Sequence, residues 1–311
     1  MANDPVGNSP GRLKYYAAAI GAAVIWGFFS ISLRSLRAYP PEQILYYRIF
    51  TSLLVTWLLI ALFRRKAIAA DLTRFRSVIP AARKRIVWLT FLAGILITGN
   101  WYTFIYAINN VSLKSAAFAY MVCPLITATG GFLLLKEQLS TLKLGGIIIA
   151  FVSIAILAKG SLTEVLWSVF IAALYAFYLI IQRVIRDADK LTMLGIHLFI
   201  AAVLVIPLYA AHFTAFPVAG FFWLQILIIS VVFTIIPLFL SLYALTGIPS
   251  STMGIIIYVN PVIAFTVAFF YFHEGITLHQ SLAYLLLLSA VIVFNWGIIS
   301  KIGKREPGTG M

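Results

Sequence analysis

The chain has 311 residues, 62% of them hydrophobic and only 10% charged, with a mean hydropathy of +1.02 and a formal net charge of +14. An ordinary globular domain carries about 25% charged residues, and no soluble core hides this much apolar surface, so lipid must cover part of it. A soluble enzyme, a disordered chain and a nucleic-acid-binding domain are excluded; the lone cysteine, Cys123, excludes an intramolecular disulfide and a cysteine-cluster metal site.

A helix that crosses a bilayer needs about 20 apolar residues. Ten such stretches follow one another: 15–34, 44–63, 86–107, 112–135, 142–158, 164–183, 191–211, 221–244, 250–272 and 278–300. Most are apolar on all sides, the mark of a helix in lipid. The first follows only Arg12 and Lys14. It is longer than a signal-peptide core and no small-residue cleavage site follows it, so it reads as a retained anchor.

Basic residues concentrate in alternate loops. One side holds Arg12, Lys14, the run Arg64 to Arg85, Lys136, Lys143, Arg183, Arg186, Lys190, Lys301, Lys304 and Arg305, together 18 of 23. The other side holds Arg34, Arg37, Lys114 and Lys159, and Arg48 lies inside span two. Short basic loops stay in the cytoplasm, so both termini are expected there, in the cell's inner membrane, with an even number of spans. The basic 64–85 stretch, with Ile68, Leu72, Phe75 and Ile79, reads either as an interfacial helix on anionic lipid or as a solvated loop.

The chain repeats internally. A shift of 137 residues brings Pro124 onto Pro261, Glu137 onto Glu274, Phe132 onto Phe269 and Tyr106-Ala107 onto Tyr243-Ala244. Near the same shift, Trp26 and Arg34 of span one meet Tyr175 and Arg183 of span six. The expected fold is all-α, ten transmembrane helices as two five-helix repeats, 15–160 and 161–300, between tails 1–14 and 301–311. Five is odd, so the second repeat enters from the opposite side, an inverted arrangement associated with transporters.

These motifs carry a resemblance. Trp26-Gly27 in span one, Glu42 to Arg48 in span two, Asn100-Trp101 and Asn109-Asn110 in span three, Tyr120 four residues before Pro124, Lys136-Glu137, and ALTGIPSSTMGIIIYVNP ending at Pro261, with Glu274 after it, resemble the drug/metabolite transporter superfamily. Within it the chain is similar to the EamA type and its RarD-like permeases. Met121-Val122-Cys123 and Ser30-Ile31-Ser32 depart from the family's pattern. The resemblance implies a ten-helix carrier of small metabolites with a central cavity between the halves.

Several residues are candidates for that cavity. A cation in hydrocarbon costs several kcal/mol unless it is paired or hydrated, so Arg48 either binds an anionic substrate group through its two-pronged guanidinium or snorkels to the headgroups. Asn100 and Asn260 must find partners at mid-membrane, in substrate or in a neighbouring helix. Pro124 and Pro261 are expected helix breaks that expose backbone polar groups, or simple kinks; Pro237 is expected to bend span eight. Trp26, Trp101, Phe104, Tyr120, Tyr175, Tyr243 and Tyr258 lie deep beside polar residues and either line a pocket for an amphipathic or aromatic compound or pack the core. Ala19, Ala23 and Gly27 recur every four residues, spacing that lets two helices approach closely.

Some chemistry is missing. Glu42, Glu137, Glu164 and Glu274 fall at span ends, so no mid-membrane acid marks a proton relay. His197 titrates in a useful range or packs between helices. His273, Glu274 and His279 lack the four-residue histidine spacing of a zinc helix, so no metal is expected, and no Walker loop, dinucleotide fingerprint or serine elbow implies a cofactor. The expected function is a secondary transporter, an exporter of amino acids or amphipathic metabolites by alternating access. The expected partners are a small-molecule substrate and the bilayer, with no nucleic acid. The oligomeric state is open, and a monomer is compatible. A substrate-binding sensor, a channel and an intramembrane enzyme are the alternatives.

Overall fold

A computed structural model describes residues 13–110, 113–138, 140–157, 162–185, 187–212, 215–273 and 278–303. Among these the chain is all helix, turn and loop, without a strand. In order the helices are α1 (Leu13–Gly27), α2 (Phe29–Ser35), α3 (Pro41–Phe63), α4 (Arg65–Ser77), α5 (Pro80–Asn110), α6 (Leu113–Leu135), α7 (Thr141–Leu157), α8 (Leu162–Val184), α9 (Lys190–Ala211) and α10 (Gly220–Ser230). A π-helical turn, Val231–Ile235, leads into α11 (Ile236–Gly247), followed by α12 (Ser250–Ile256), α13 (Val259–Phe270) and α14 (Leu278–Gly303).

Six helical stretches are long and apolar enough to cross a membrane: Leu13–Ser35, Pro41–Phe63, Pro80–Ala107, Leu166–Val184, Lys190–Ala211 and Gly220–Gly247. Shorter apolar helices cover Ala119–Leu135, Thr141–Ile156, Ser250–Ala264 and Ser281–Gly297. The chain is thus a multi-pass membrane protein. The basic linker after α3 forms the exposed helix α4. Proline starts α3 and α5 at their first helical positions, where its missing N–H costs nothing. Asp189 caps α9, its carboxylate accepting the Thr192 N–H at 3.0 Å.

The two expected proline breaks come out differently. Helix α6 runs unbroken through Pro124, so no break forms there. Gly254 of α12 lies against this turn so closely that a Cβ on it would sit 2.8 Å from Thr127 Cβ and 3.0 Å from the Pro124 carbonyl oxygen. On the other side the helix does break, at Ile257 and Tyr258, just before Pro261. Pro237 lies in the first turn of α11, directly after the π turn.

Among the described residues two non-glycine positions have positive φ, Lys136 at 53° and His273 at 52°. Lys136 follows α6 directly and His273 comes three residues after the end of α13, and the 137-residue shift superposes the two. Glu274, the tail 1–12 and the tail from 304 onward lie outside the described residues, as do the side chains of Asn109, Asn110, Lys114, Glu164 and His279.

The principal core lies among α1, α5, α6, α8, α11 and α12. Helix α1 meets α13 at Gly27, where a Cβ would come 2.5 Å from Ile263 Cβ. Ala19, Ala23 and Gly27 are buried, so the small-residue stripe of span one is a packing seam.

Candidate substrate site

Arg48 of α3 places its guanidinium carbon 4.7 Å from the centre of the Trp101 ring on α5. Its Nε is buried without a hydrogen-bond partner among the described residues. One turn along α5, Phe104 meets Tyr120 of α6 edge to face, with ring centres 5.1 Å apart. The Tyr120 hydroxyl lies within electrostatic range of both Arg48 and the buried Cys123 thiol. Tyr175 of α8 and Tyr258, at the break between α12 and α13, lie within electrostatic range of the same thiol. Tyr258 is wholly buried, and its hydroxyl has no partner among the described residues. Trp26 of α1 closes this group, edge-on to Tyr175 at 5.9 Å.

Arg48, Trp101, Phe104, Tyr120, Tyr175, Tyr258 and Trp26 therefore converge. Three other predicted residues do not join them. The buried Asn100 amide donates to the Ile171 carbonyl of α8 at 2.9 Å, so it ties two helices together. Tyr243 packs at a tilt against Tyr15, 5.1 Å between centres, at the start of α1. Asn260 is half-buried on α13, with its carbonyl facing Gly27. Cys123 was not singled out as a site residue, since one thiol in an apolar span gives no local signal. His197 is buried against Tyr178, 5.5 Å between rings, and its Nε2 lies 3.4 Å from the Gln182 amide. Among the described residues no group of three His, Cys, Asp or Glu side chains can hold a metal.

The two ends of the bundle differ. At the end carrying α4, polar links join separate helices. Glu137 Oε1 accepts the Ser250 N–H at 2.8 Å and its hydroxyl at 2.9 Å, and Oε2 accepts the Ser251 N–H at 2.9 Å. Arg64 pairs with Asp189, and Arg74 donates to the Asp187 carbonyl at 2.9 Å. Burial pushes the Asp189 carboxyl up, but the Thr192 N–H and the Arg64 guanidinium outweigh it and hold the group below its ordinary value. Arg183 of α8 donates to the Leu245 carbonyl at 2.7 Å and so caps α11. At the far end, α3, α5 and α9 enclose an open pocket of about 340 Å³.

Comparison with known proteins gives a consistent result. The model of the EamA-like transporter family matches residues 13–159 and again 162–296. The chain is 28% identical over 285 residues to "Protein RarD" of Streptomyces exfoliatus, covering 89% of this chain and 86% of that one. It is 27% identical over 283 residues to an "Uncharacterized transporter" of Vibrio cholerae serotype O1, covering 89% and 90%. It is 24% identical over 285 residues to "Protein RarD" of Escherichia coli strain K12, covering 89% and 92%. A solved crystal structure shares the fold with a TM-score of 0.69 at 16% identity, covering 94% of this chain and 99% of the other. With both halves matched, the chain belongs to the EamA-like transporter family.

Proposed function

We propose that this protein is a secondary transporter that exports a small organic metabolite carrying an anionic group. The observation that carries the reading is Arg48. Its guanidinium lies inside an apolar helix, stacked on Trp101, with Nε unpartnered among the described residues. Such a charge is costly in a membrane unless an anion or water meets it. The Tyr120 and Tyr258 hydroxyls add donors, while Trp26, Trp101 and Phe104 supply rings for an apolar portion. An amino acid or an amphipathic carboxylate matches that combination.

The chain crosses the inner membrane ten times, with both termini in the cytoplasm, as two inverted repeats, 15–160 and 161–300. The packing pattern supports this. Exchange α1 with α8, α3 with α9, α5 with α10 and α11, α6 with α12 and α13, and α7 with α14. The contact of α1 with α11 then becomes that of α8 with α5, and the contact of α6 with α8 becomes that of α13 with α1. Pairs α3–α9, α6–α12 and α7–α14 map onto themselves. Trp26 and Tyr175, equivalent in the two repeats, touch across the axis. The basic linker gives the orientation. The polar links at the basic end and the open pocket at the far end read as an outward-facing state, and alternating access requires those links to part.

Counterflow tests the proposal. Proteoliposomes loaded with unlabelled amino acids and other carboxylates should transiently accumulate a labelled counterpart, and Arg48→Ala should remove the accumulation while leaving the protein folded. Undiminished transport by folded Arg48→Ala would overturn the role of Arg48.

A further inference from the structure

Residues 64–85, between α3 and the apolar part of α5, hold eight lysines and arginines and one acid, Asp71, a net +7 in 22 residues out of the chain's +14. The sequence alone allows a solvated loop or a helix on lipid. The structure makes 65–77 the helix α4, and its contacts sort the charges.

Three of the eight cations are committed to the protein. Arg64 pairs with Asp189, and Arg74 donates to the Asp187 carbonyl at 2.9 Å. Arg83 donates to the Arg76 and Val78 carbonyls at 2.6 and 3.2 Å and lies over the Phe75 ring. The Asp71 carboxylate accepts the Asp189 N–H at 2.9 Å, so the single acid of the stretch is turned inward as well. Ile68, Asp71 and Phe75, three and four residues apart, are the half-buried side of α4. Arg65, Ala69, Leu72 and Arg76 share a second side, and all four are exposed. Lys66, Lys84 and Arg85 are exposed too. Five cations are thus left on the surface.

Their level in the bilayer follows from the residues that bracket them. Phe63, the last residue of α3, is exposed, and so are Val87 and Trp88, which follow Arg85 on α5. Both helices are long and apolar enough to cross a membrane. Exposed apolar side chains on such helices face lipid, and tryptophan favours the headgroup level. The five cations lie just beyond this boundary, where lipid phosphates are, with the exposed Leu72 and Ile79 among them. A surface helix that mixes cations with a few apolar side chains matches an anionic bilayer surface in both charge and polarity.

We propose that α4 and the residues up to Arg85 form a docking surface for the anionic phospholipid headgroups of the adjacent leaflet. Such docking depends on neither the transported substrate nor the direction of transport. It gives the three inward arginines and the five outward cations separate roles, the first in holding α4 to the turn between α8 and α9, the second in gathering lipid.

The test uses the full-length protein carrying Cys123→Ser and a bimane fluorophore on Leu72→Cys. It is placed in phosphatidylcholine nanodiscs doped with nitroxide-labelled phosphatidylglycerol or, at the same fraction, nitroxide-labelled phosphatidylcholine. The nitroxide quenches at short range, so the ratio of quenching reports which lipid gathers at α4. We expect phosphatidylglycerol to be preferred at least about fivefold. The preference should fall below about twofold in about 1 M salt, where the screening length is about 3 Å. Lys66→Gln combined with Arg76→Gln, with an unchanged melting curve, should at least halve it at low salt. A bimane on Leu166→Cys, an exposed position at the other end of α8, should show less than a twofold preference, which separates local docking from the general attraction of a +14 chain. Equal quenching by the two lipids at Leu72, a preference that survives salt, one unchanged in the folded double variant, or the same preference at Leu166 would overturn the proposal.

Discussion

The Trp26 indole N–H donates to the carbonyl of Phe233, 3.0 Å away and 207 residues on in the chain. The reason lies four residues beyond Phe233. Pro237 has no N–H to return to that carbonyl, and the helix passes through a π turn, Val231–Ile235, just before it. A residue of α1 thus completes the hydrogen bonding of a helix in the other half.

This pairing predicts a coupled mutational effect. A buried carbonyl that loses its donor costs about 1–3 kcal/mol. Trp26→Phe should therefore destabilise the protein by about that amount in thermal unfolding, beyond its packing loss. Pro237→Ala restores a backbone donor to the Phe233 carbonyl, so Trp26→Phe should cost measurably less in that background. Strict additivity in the double-mutant cycle would contradict the assignment.

Arg48 and Trp101 should act together in transport. A charge-assisted hydrogen bond contributes about 1.5–3 kcal/mol, or roughly ten- to a hundredfold in apparent affinity. Arg48→Lys keeps the charge but loses the planar fork, and should raise the half-saturation concentration by about tenfold or more. Trp101→Leu removes the ring beneath the guanidinium and should give a smaller loss in the same direction. Uptake kinetics in proteoliposomes measure both, and an Arg48→Lys protein with wild-type kinetics would count against recognition by the fork.

Glu137 should govern stability. Its carboxylate takes the first two N–H groups of α12 and the Ser250 hydroxyl, a cap of the kind whose loss costs about 1 kcal/mol. Glu137→Ala should lower the melting temperature, and Glu137→Gln should lower it less, because an amide oxygen still accepts. Lost transport at an unchanged melting temperature would assign Glu137 a functional role instead.

Acid should weaken the Asp189 link. The carboxyl is held below its ordinary value of 3.8, so the folded state favours the ionised form. Its contribution is complete above that value and is lost as pH falls through the lower, folded value. At neutral pH Asp189→Ala should cost about 1 kcal/mol, moderated by the half-exposed Arg64. The gap in melting temperature between wild type and variant should be constant from pH 5 to 8 and shrink below about pH 4. A gap that widened on acidification would reverse the sign and refute the account.

Much of the fold was legible because hydropathy and charge are local. A run such as 191–211 announces a helix wherever it packs, and α9 occupies Lys190–Ala211. The repeat at a shift of 137 left a conformational trace, the left-handed Lys136 and His273. The site was legible in part. Arg48 and Trp101 were both singled out, but their contact depends on how α3 and α5 are set beside each other. Asn100 and Asn260 looked equivalent, yet only the packing of α8 gave Asn100 the Ile171 carbonyl.

By itself, then, the sequence determined an all-helical membrane chain, the places of its helices, the side rich in positive charge, and a twofold internal resemblance. These follow from transfer free energy summed over adjacent residues. The tertiary structure decided which deep polar and aromatic groups meet: Tyr175 with Trp26 but Tyr243 with Tyr15. It also decided that Pro124 sits in an unbroken helix while the chain breaks before Pro261. The physical reason is that a freed carbonyl or a buried side chain has no preferred partner in its own segment. Its partner is whatever a neighbouring helix brings within 3 or 4 Å, and that proximity is set by small residues such as Gly27 and Gly254, far away along the chain.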